Sequence, residues 1–115
     1  MIKTSKFTEA DSTILKIEGR IDGLTSKQVQ SEIAEIIATN VKNVILDFTA
    51  VYYLSSAGLR VLINEVKKIK DYGGQMFILS PVEIIQKELE VSGLSTVFNV
   101  YHSLQEISDF LNEGD

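Results

Sequence analysis

The stretch Asp47–Arg60 reads DFTAVYYLSSAGLR and joins a short apolar run to a long amphipathic segment. The run before it, Val44–Leu46, is bounded by polar residues, which predicts a strand that is buried on both faces and ends near Asp47. From Ser56 to about Lys70, apolar residues recur at the spacing of one helix face. These residues are Leu59, Leu62, Ile63, Val66 and Ile69. A buried strand followed by an amphipathic helix predicts a layered α/β fold.

The residues before this stretch predict a pair of strands and a helix. Ile2–Glu9 and Ser12–Gly19 form the expected strands, and the second carries the branched apolar residues that suit a pleated surface. Thr25–Gln28 has the pattern of a capping box, in which a threonine and a glutamine satisfy backbone groups at a helix start. We therefore expect a helix over residues 26–39, with Asn40 as its left-handed stop.

The residues after this stretch repeat the alternation of strand and helix. Gln75–Leu79 predicts another buried strand, and Ser80–Glu83 predicts a capped helix that ends at Gly93. Thr96–Tyr101 predicts a last short strand, and Ser103–Glu106 is a third capping box, which opens a terminal helix. That helix is expected to turn three residues inward: Leu104, Ile107 and Leu111.

The predicted element order is β-β-α-β-α-β-α-β-α. It favours a single α/β domain over residues 1–115, with a mixed sheet of about five strands and four helices. With 44% hydrophobic and 23% charged residues, the composition is that of a folded soluble domain. We expect one hydrophobic core.

The composition also excludes several classes of protein. There is no cysteine, which excludes thiol catalysis, disulfides and thiolate metal sites and favours a reducing compartment. The longest apolar run, Ala50–Leu54, has five residues, far fewer than a membrane span needs, and the N-terminus lacks the apolar run of a signal peptide. We therefore expect a cytoplasmic protein without a membrane segment.

The charges and polar residues give little support for nucleic-acid binding or catalysis. Residues 83–115 hold seven acids and one base, and the lysines Lys67, Lys68 and Lys70 have no aromatic platform beside them. The only histidine, His102, precedes a capping box and is expected to be an exposed loop residue. The chain lacks a Gly-Lys phosphate loop and a Gly-x-Gly-x-x-Gly fingerprint. We expect no direct nucleic-acid binding, no enzymatic activity, no catalytic residues, no cofactor and no metal.

The predicted helix start at Ser55 and Ser56 is the most informative site in the chain. A helix start leaves four backbone amides without helical partners and carries about half a positive charge. Each of the other helices has a glutamine or glutamate three residues after its cap, whereas Gly58 or Leu59 occupies that place here. One interpretation is a docking surface, where small Ala57 and Gly58 admit another backbone. The alternative is that either serine merely caps the helix and Gly58 relieves crowding.

A wider pattern favours the docking interpretation. Gly19–Asp22, Asp47, Tyr53–Leu59 and the Gly73-Gly74 turn together resemble the anti-sigma factor antagonist family of STAS domains, over nearly the whole chain. The resemblance implies a switch protein that binds an anti-sigma factor with serine kinase activity and so releases a sigma factor. Phosphorylation of a serine at the helix start would end that binding. A metal-dependent serine phosphatase would restore it.

The resemblance also assigns roles to individual residues. The family's phosphorylated serine lies two residues before the glycine, which corresponds to Ser56, and Ser55 stands where many members have aspartate and is the alternative acceptor. Asp47 can have a structural role. The residues predicted at the partner-binding surface are Asp22, Thr25, Leu54, Ser55, Ser56, Ala57, Gly58 and Arg60. Leu54 and the two neighbouring tyrosines are expected to supply an apolar rim.

Two other functions fit the same sequence features. The chain could be a stand-alone ligand- or nucleotide-sensing module that uses this helix start without phosphorylation. It could also be a scaffold subunit of a larger STAS signalling assembly. A bound small molecule without a modified serine would favour the sensor, and a kinase-like partner with modified Ser56 would favour the switch.

Overall fold

The computed structural model describes residues 2–93 and 96–113 and has the predicted element order. The elements are β1 (Ile2–Glu9), β2 (Ser12–Ile21), α1 (Ser26–Ile37), β3 (Asn43–Leu54), α2 (Ser56–Asp71), β4 (Gln75–Leu79), α3 (Glu83–Val91), β5 (Asn99–Tyr101) and α4 (Leu104–Glu113). The predicted α/β class, mixed five-stranded sheet and four helices are confirmed.

The sheet has the strand order β1-β2-β3-β4-β5. The β1–β2 pair is antiparallel, and each of the other neighbouring pairs is parallel. The carboxyl ends of β2 and β3 therefore meet at one edge of the sheet. The segments that lead into α1 and α2 start at this edge, which is where parallel α/β sheets commonly place their binding sites.

Strand β3 is longer than predicted. It was expected to end near Asp47, but it continues to Leu54 because β2 continues beside it to Ile21. The register with β2 shifts twice, and each shift places an extra residue in β3. Gly19 lies at one shift with φ +120°, a backbone conformation that residues with side chains rarely adopt.

The two bulges explain why this half of β3 does not look like a strand in the sequence. Its buried side chains are Phe48, Val51 and Leu54, which are three residues apart. A regular half-buried strand would bury every second residue. The extra residues therefore hide the alternation by which the strand could have been recognised.

The core lies on both faces of the sheet. The main cluster joins the sheet to the apolar faces of α1, α2 and α3, with residues such as Ile33, Leu62 and Leu89 fully buried. A smaller cluster on the other face includes Phe77 of β4 and Ile107 of α4. Burying each of these side chains contributes about 1.5–3 kcal/mol.

The terminal helix α4 follows its predicted pattern in part. Ile107 is buried and Leu111 is half-buried, as expected, but Leu104 is 49% exposed, so its predicted inward position is wrong. Phe110 instead contacts the aromatic rings of Phe77 and Tyr101, with centroids 5.9 and 5.8 Å away.

One of the three predicted capping boxes is present in close to its predicted form. Ser103 Oγ accepts a hydrogen bond from the Glu106 N–H group at 3.1 Å, and Glu106 Oε1 accepts one from the His102 N–H group at 2.8 Å. The box at Ser80 is wrong, because the residue that caps α3 is Val82 and the Ser80 hydroxyl donates to the carbonyl oxygen of His102. β5 also begins later than predicted, at Asn99.

The helix α1 ends close to its predicted boundary. Its last residue is Ile37, and Asn40 follows with φ +60°, the left-handed conformation that was expected. Gly93 likewise has φ +78° just after α3. These positive angles mark the places where the chain leaves a helix and turns back toward the sheet.

A buried acid lies in the middle of α2. The Glu65 side chain is fully buried, and Lys68 Nζ lies 3.0 Å from its Oε2 atom. This approach lies outside the direction of a hydrogen bond, and neither carboxylate oxygen has a hydrogen-bond partner among the described residues. Glu65 therefore depends on the charge of one half-exposed lysine.

A double-mutant cycle should measure the interaction between Glu65 and Lys68. Lys68→Ala should lower the free energy of unfolding by about 1–2 kcal/mol, because it leaves a buried carboxylate without its counter-ion, while the half-exposed lysine keeps the loss below that of a fully buried pair. In a Glu65→Leu background the same change should have almost no effect. Urea unfolding measures both, and Lys67→Ala, an exposed lysine of the same helix, is the control. Equal losses for Lys68→Ala and Lys67→Ala would contradict the account.

Candidate partner-binding site at the start of helix α2

The site is built where β2 and β3 end side by side. Arg20 pairs with Tyr53 and Ile21 with Leu54 in the β2–β3 register. One residue later, the Ser55 N–H group donates a hydrogen bond of 2.8 Å to the carbonyl oxygen of Ile21. The start of α2 is thereby attached to the end of β2, and the loop that leads into α1 lies next to it.

Ser55 is the N-cap of α2. Its backbone is extended, at φ −83° and ψ 170°, and its Oγ atom accepts a hydrogen bond from the Gly58 N–H group at 3.1 Å. The Ser55 carbonyl oxygen accepts the first helical bond, from the Leu59 N–H group at 2.9 Å. The Ser55 hydroxyl is therefore engaged in holding the helix start.

Ser56 has a different environment although it is the next residue. It is the first residue of α2, its side chain is exposed, and its hydroxyl makes no hydrogen bond within residues 2–93 and 96–113. A reacting partner could approach this oxygen without first breaking a cap. The geometry thus shows that Ser55 is the cap and Ser56 is not, a question that the sequence had left open.

Gly58 is small because of what lies beneath it. A Cβ atom at this position would lie 2.7 Å from Leu54 Cδ1 and 2.8 Å from Ile21 Cγ2. The residue is buried, so the interpretation in which Gly58 admits another protein's backbone is wrong, and relief of crowding is its role. The absence of a side chain lets the first turn of α2 rest directly on the ends of β2 and β3.

Leu54 likewise faces the interior. It is 3% exposed, so it cannot supply the apolar rim that was expected of it. The exposed apolar groups at this end of the sheet are Tyr52, Tyr53 and, in the loop before α1, Leu24, which is 86% exposed. Leu54 and Gly58 thus support the surface from below, while Ala57 is half-buried and Arg60 is exposed on α2.

The loop before α1 is organised by Asp22. Its Oδ1 atom accepts hydrogen bonds from the N–H groups of Leu24 and Thr25, each 3.0 Å long. The Thr25 hydroxyl accepts from the Asp22 N–H group and donates to the carbonyl oxygen of Arg20. Thr25 has helical backbone angles and makes no cap with its side chain, so the predicted capping box at this residue is wrong. Asp22, and not Thr25, accepts the hydrogen bonds from the two backbone N–H groups that directly precede α1.

The same hydrogen bonds affect the acidity of Asp22. The bond from the Thr25 N–H group is the largest of the effects that hold the pKa of Asp22 below its ordinary value, because it stabilises the charged form. The Arg20 guanidinium acts in the same direction, with Nε 3.9 Å from Asp22 Oδ2. Asp22 therefore presents a negative charge at the edge of the site.

The sequence predicted Tyr53 as part of an apolar rim, but it did not indicate the contact of Tyr53 with Arg20. The Arg20 guanidinium carbon lies 4.2 Å from the centre of the Tyr53 ring, a cation–π contact that holds both side chains at the edge of the sheet. Arginine and tyrosine are common in residues that dominate protein–protein binding energy. The Arg20–Tyr53 register would have indicated this contact, but it depends on the two bulges between β2 and β3.

The described residues show neither a metal cluster nor a membrane helix. No group of three or more histidine, aspartate or glutamate side chains among them could hold a metal ion. None of the helices in this part of the chain has both the length and the apolar character to cross a bilayer.

The fold and site define a class: a small α/β domain whose ordered helix start presents an exposed serine beside an acidic loop and an arginine–tyrosine pair. The STAS domain family profile matches residues 4–107, and the chain belongs to this family.

Comparisons with individual proteins agree with this assignment. The anti-sigma-F factor antagonist RsfB of Mycobacterium tuberculosis is 26% identical over 93 residues, which cover 81% of this chain and 75% of RsfB. The crystal structure of an anti-sigma factor antagonist from Mycobacterium paratuberculosis superposes with a TM-score of 0.84 at 22% identity, covering 92% of this chain and 90% of the other. The unphosphorylated form of the anti-sigma factor antagonist SpoIIAA gives 0.81 at 17% identity, covering 96% and 97%. SpoIIAA from Bacillus has also been solved in a phosphorylated form, which gives 0.72 at 16% identity and covers 95% and 99%.

The tight contact under Gly58 gives a first prediction for the site. Gly58→Ala should lower the free energy of unfolding by about 1 kcal/mol, because overpacking costs about 1–3 kcal/mol and the gain in helix propensity returns about 1 kcal/mol. Gly23→Ala is the matched control, since a Cβ atom there meets nothing within 4 Å. Equal stability of Gly58→Ala and Gly23→Ala in urea would contradict the close packing beneath Gly58.

The hydrogen bonds to Asp22 give a second prediction, on pH dependence. The folded state lowers the pKa of Asp22 from 3.8, so the stability this acid contributes is present above that pH and is lost as the pH falls through the lower folded value. The wild-type chain should therefore exceed Asp22→Asn in stability by more at pH 7 than at a pH of about 2.5. Unfolding by urea at both values measures this difference. An unchanged gap between the two proteins would contradict it.

Proposed function

We propose that this chain is an anti-sigma factor antagonist that acts as a phosphorylation-controlled partner switch. In its unphosphorylated form it binds an anti-sigma factor with serine kinase activity, which then releases the sigma factor. The observation that carries the proposal is the exposed Ser56 hydroxyl beside a capping Ser55, on a surface that also includes Asp22 and Tyr53. RsfB and the protein from Mycobacterium paratuberculosis are both named anti-sigma factor antagonists, which supports an anti-sigma factor as the partner.

Ser56 is the proposed phosphate acceptor. The kinase would supply ATP, a bond would form between Ser56 Oγ and the γ-phosphorus, the bond from that phosphorus to the ADP oxygen would break, and the hydroxyl proton would pass to a base of the kinase. Ser55 is the weaker candidate, because its oxygen must leave the Gly58 N–H group before it can react. Losing such a cap costs about 0.5–2 kcal/mol.

Phosphorylation would end partner binding without unfolding the chain. A phosphate adds a charge of about −1.5 to −2, and a helix start accepts negative charge favourably. In a docked complex the same group would have to lose its water, and acidic groups of the partner facing it would add like-charge repulsion. A cost of a few kcal/mol would weaken binding by about a hundredfold to a thousandfold.

The chain itself would be a binding protein and a substrate, and not an enzyme. A metal-dependent serine phosphatase would hydrolyse the phosphoserine, with water taking up the phosphoryl group and the serine oxygen regaining its proton. The kinase and the phosphatase would be the partners of this chain, and the exchange would take place in the cytoplasm. The reactive groups of the cycle would thus come from these proteins, while this chain presents Ser56.

Variants at the two serines test the proposal. The tagged chain is used to isolate its kinase partner from the native cells, and phosphate transfer from ATP and the dissociation constant are then measured for each variant. Ser56→Ala should accept no phosphate yet bind the partner, and Ser56→Asp should bind about tenfold or more weakly. Ser55→Ala should still accept phosphate, although loss of its cap should lower its stability by about 1 kcal/mol.

The Ser55 and Ser56 variants distinguish the possible outcomes. Equal partner binding by Ser56→Ala and Ser56→Asp would contradict a charge-controlled switch. Phosphate transfer that survives in Ser56→Ala and disappears in Ser55→Ala would move the acceptor to Ser55. Isolation of the chain with a bound small molecule and without a modified serine would support the ligand-sensing alternative instead.

A further inference from the structure

Arg60 lies one helical turn after Ser56 on the exposed side of α2. Both side chains are exposed, and residues four apart on a helix are neighbours on its surface. Ser56 and Arg60 are about 6 Å apart along the helix axis, and helical side chains lean toward the helix N-terminus. The long Arg60 side chain is therefore able to reach a group attached to the Ser56 oxygen.

The charge of Arg60 is available for such a group. Arg60 forms no ion pair with any residue in the ranges that the structure describes. The acids within α2 itself are Glu65, which is buried beside Lys68, and Asp71 in the last turn. No acid on the helix competes for Arg60 near its first turn.

The other arginine at this end of the sheet is already engaged. Arg20 stacks on Tyr53 and lies 3.9 Å from the Asp22 carboxylate. Moving it to a phosphate at Ser56 would require these contacts to be given up. Arg20 is therefore engaged by other side chains, whereas Arg60 is available.

We propose that Arg60 is the phosphate-binding residue of this domain, and that its guanidinium pairs with the phosphate of phosphorylated Ser56. The inference rests on the proposed function and adds a second effect to it. A guanidinium can hold a phosphate through two parallel hydrogen bonds. Phosphorylation then not only introduces negative charge but also withdraws Arg60, an exposed cation of the binding surface, from any partner.

The pairing predicts a change in the acidity of the phosphate itself. The second pKa of phosphoserine is about 6, and a cation beside it favours the dianion and lowers that value. For an exposed pair we expect a shift of about 0.5 units. The shift should disappear when Arg60 loses its charge.

The test uses the full chain with phosphoserine installed at position 56 by genetic code expansion, so that no kinase is needed. Titration of the phosphorus NMR signal gives the second pKa in four proteins: the unmutated phosphorylated chain, Arg60→Gln, Arg20→Gln and Lys67→Gln. Lys67 is an exposed lysine of α2, three turns from Ser56, and controls for loss of one positive charge. Only Arg60→Gln should raise the pKa, by about 0.5 units. An unchanged pKa in Arg60→Gln, or an equal rise in Arg20→Gln or Lys67→Gln, would overturn the inference.

A failure of this inference is distinguishable from a failure of the proposed function. If phosphorylated Ser56 releases the partner while Arg60→Gln leaves the phosphate pKa unchanged, the switch stands and the Arg60 pairing is refuted. If the pKa depends on Arg60 but phosphorylation leaves partner binding intact, the pairing stands and the switch is refuted.

Discussion

The hydrogen bond from the Ser55 N–H group to the carbonyl oxygen of Ile21, 2.8 Å long, ties the start of α2 to the end of β2. It continues the parallel pairing of β2 with β3 past the last strand residue, Leu54. The packing beneath α2 is equally close, since Gly58 has no side chain and its backbone rests on Leu54 and Ile21. The surface features of the site follow from the same attachment.

The attachment gives two adjacent serines different tasks. Ser55 closes the helix start by accepting the Gly58 N–H group, while Ser56 projects from the first turn of α2 into solvent. In the proposed switch this division would be useful, because Ser55 would keep the helix start ordered whether or not Ser56 is modified. The arrangement also explains how a phosphate could change what the surface binds without changing the fold that carries it.

The sequence predicted the order of elements because each helix and most strands carry a clear apolar pattern. The second half of β3 escaped prediction, since its two bulges place Phe48, Val51 and Leu54 three residues apart. The contact between Arg20 and Tyr53 was missed for the same reason.

The capping boxes show a second limit on prediction. The pattern succeeded at Ser103, where no tertiary contact competes for the hydroxyl, and failed at Thr25 and Ser80. The Thr25 hydroxyl donates to the carbonyl oxygen of Arg20, and that of Ser80 donates to His102. Such partners, distant in sequence or set by a loop's shape, are not encoded in a local pattern. For α2, the sequence predicted where the helix begins but not whether Ser55 or Ser56 is its cap.

The location of the proposed phosphate is the most direct test of the partner switch. Trypsin cleaves after Lys42 and Arg60, so one peptide, Asn43–Arg60, contains both serines. Fragmentation of this peptide by mass spectrometry, after isolation of the chain from its native cells, assigns the modified residue. We expect phosphate on Ser56 and an unmodified Ser55. Phosphate on Ser55 alone would contradict it, because the capping hydroxyl would then be the reactive one.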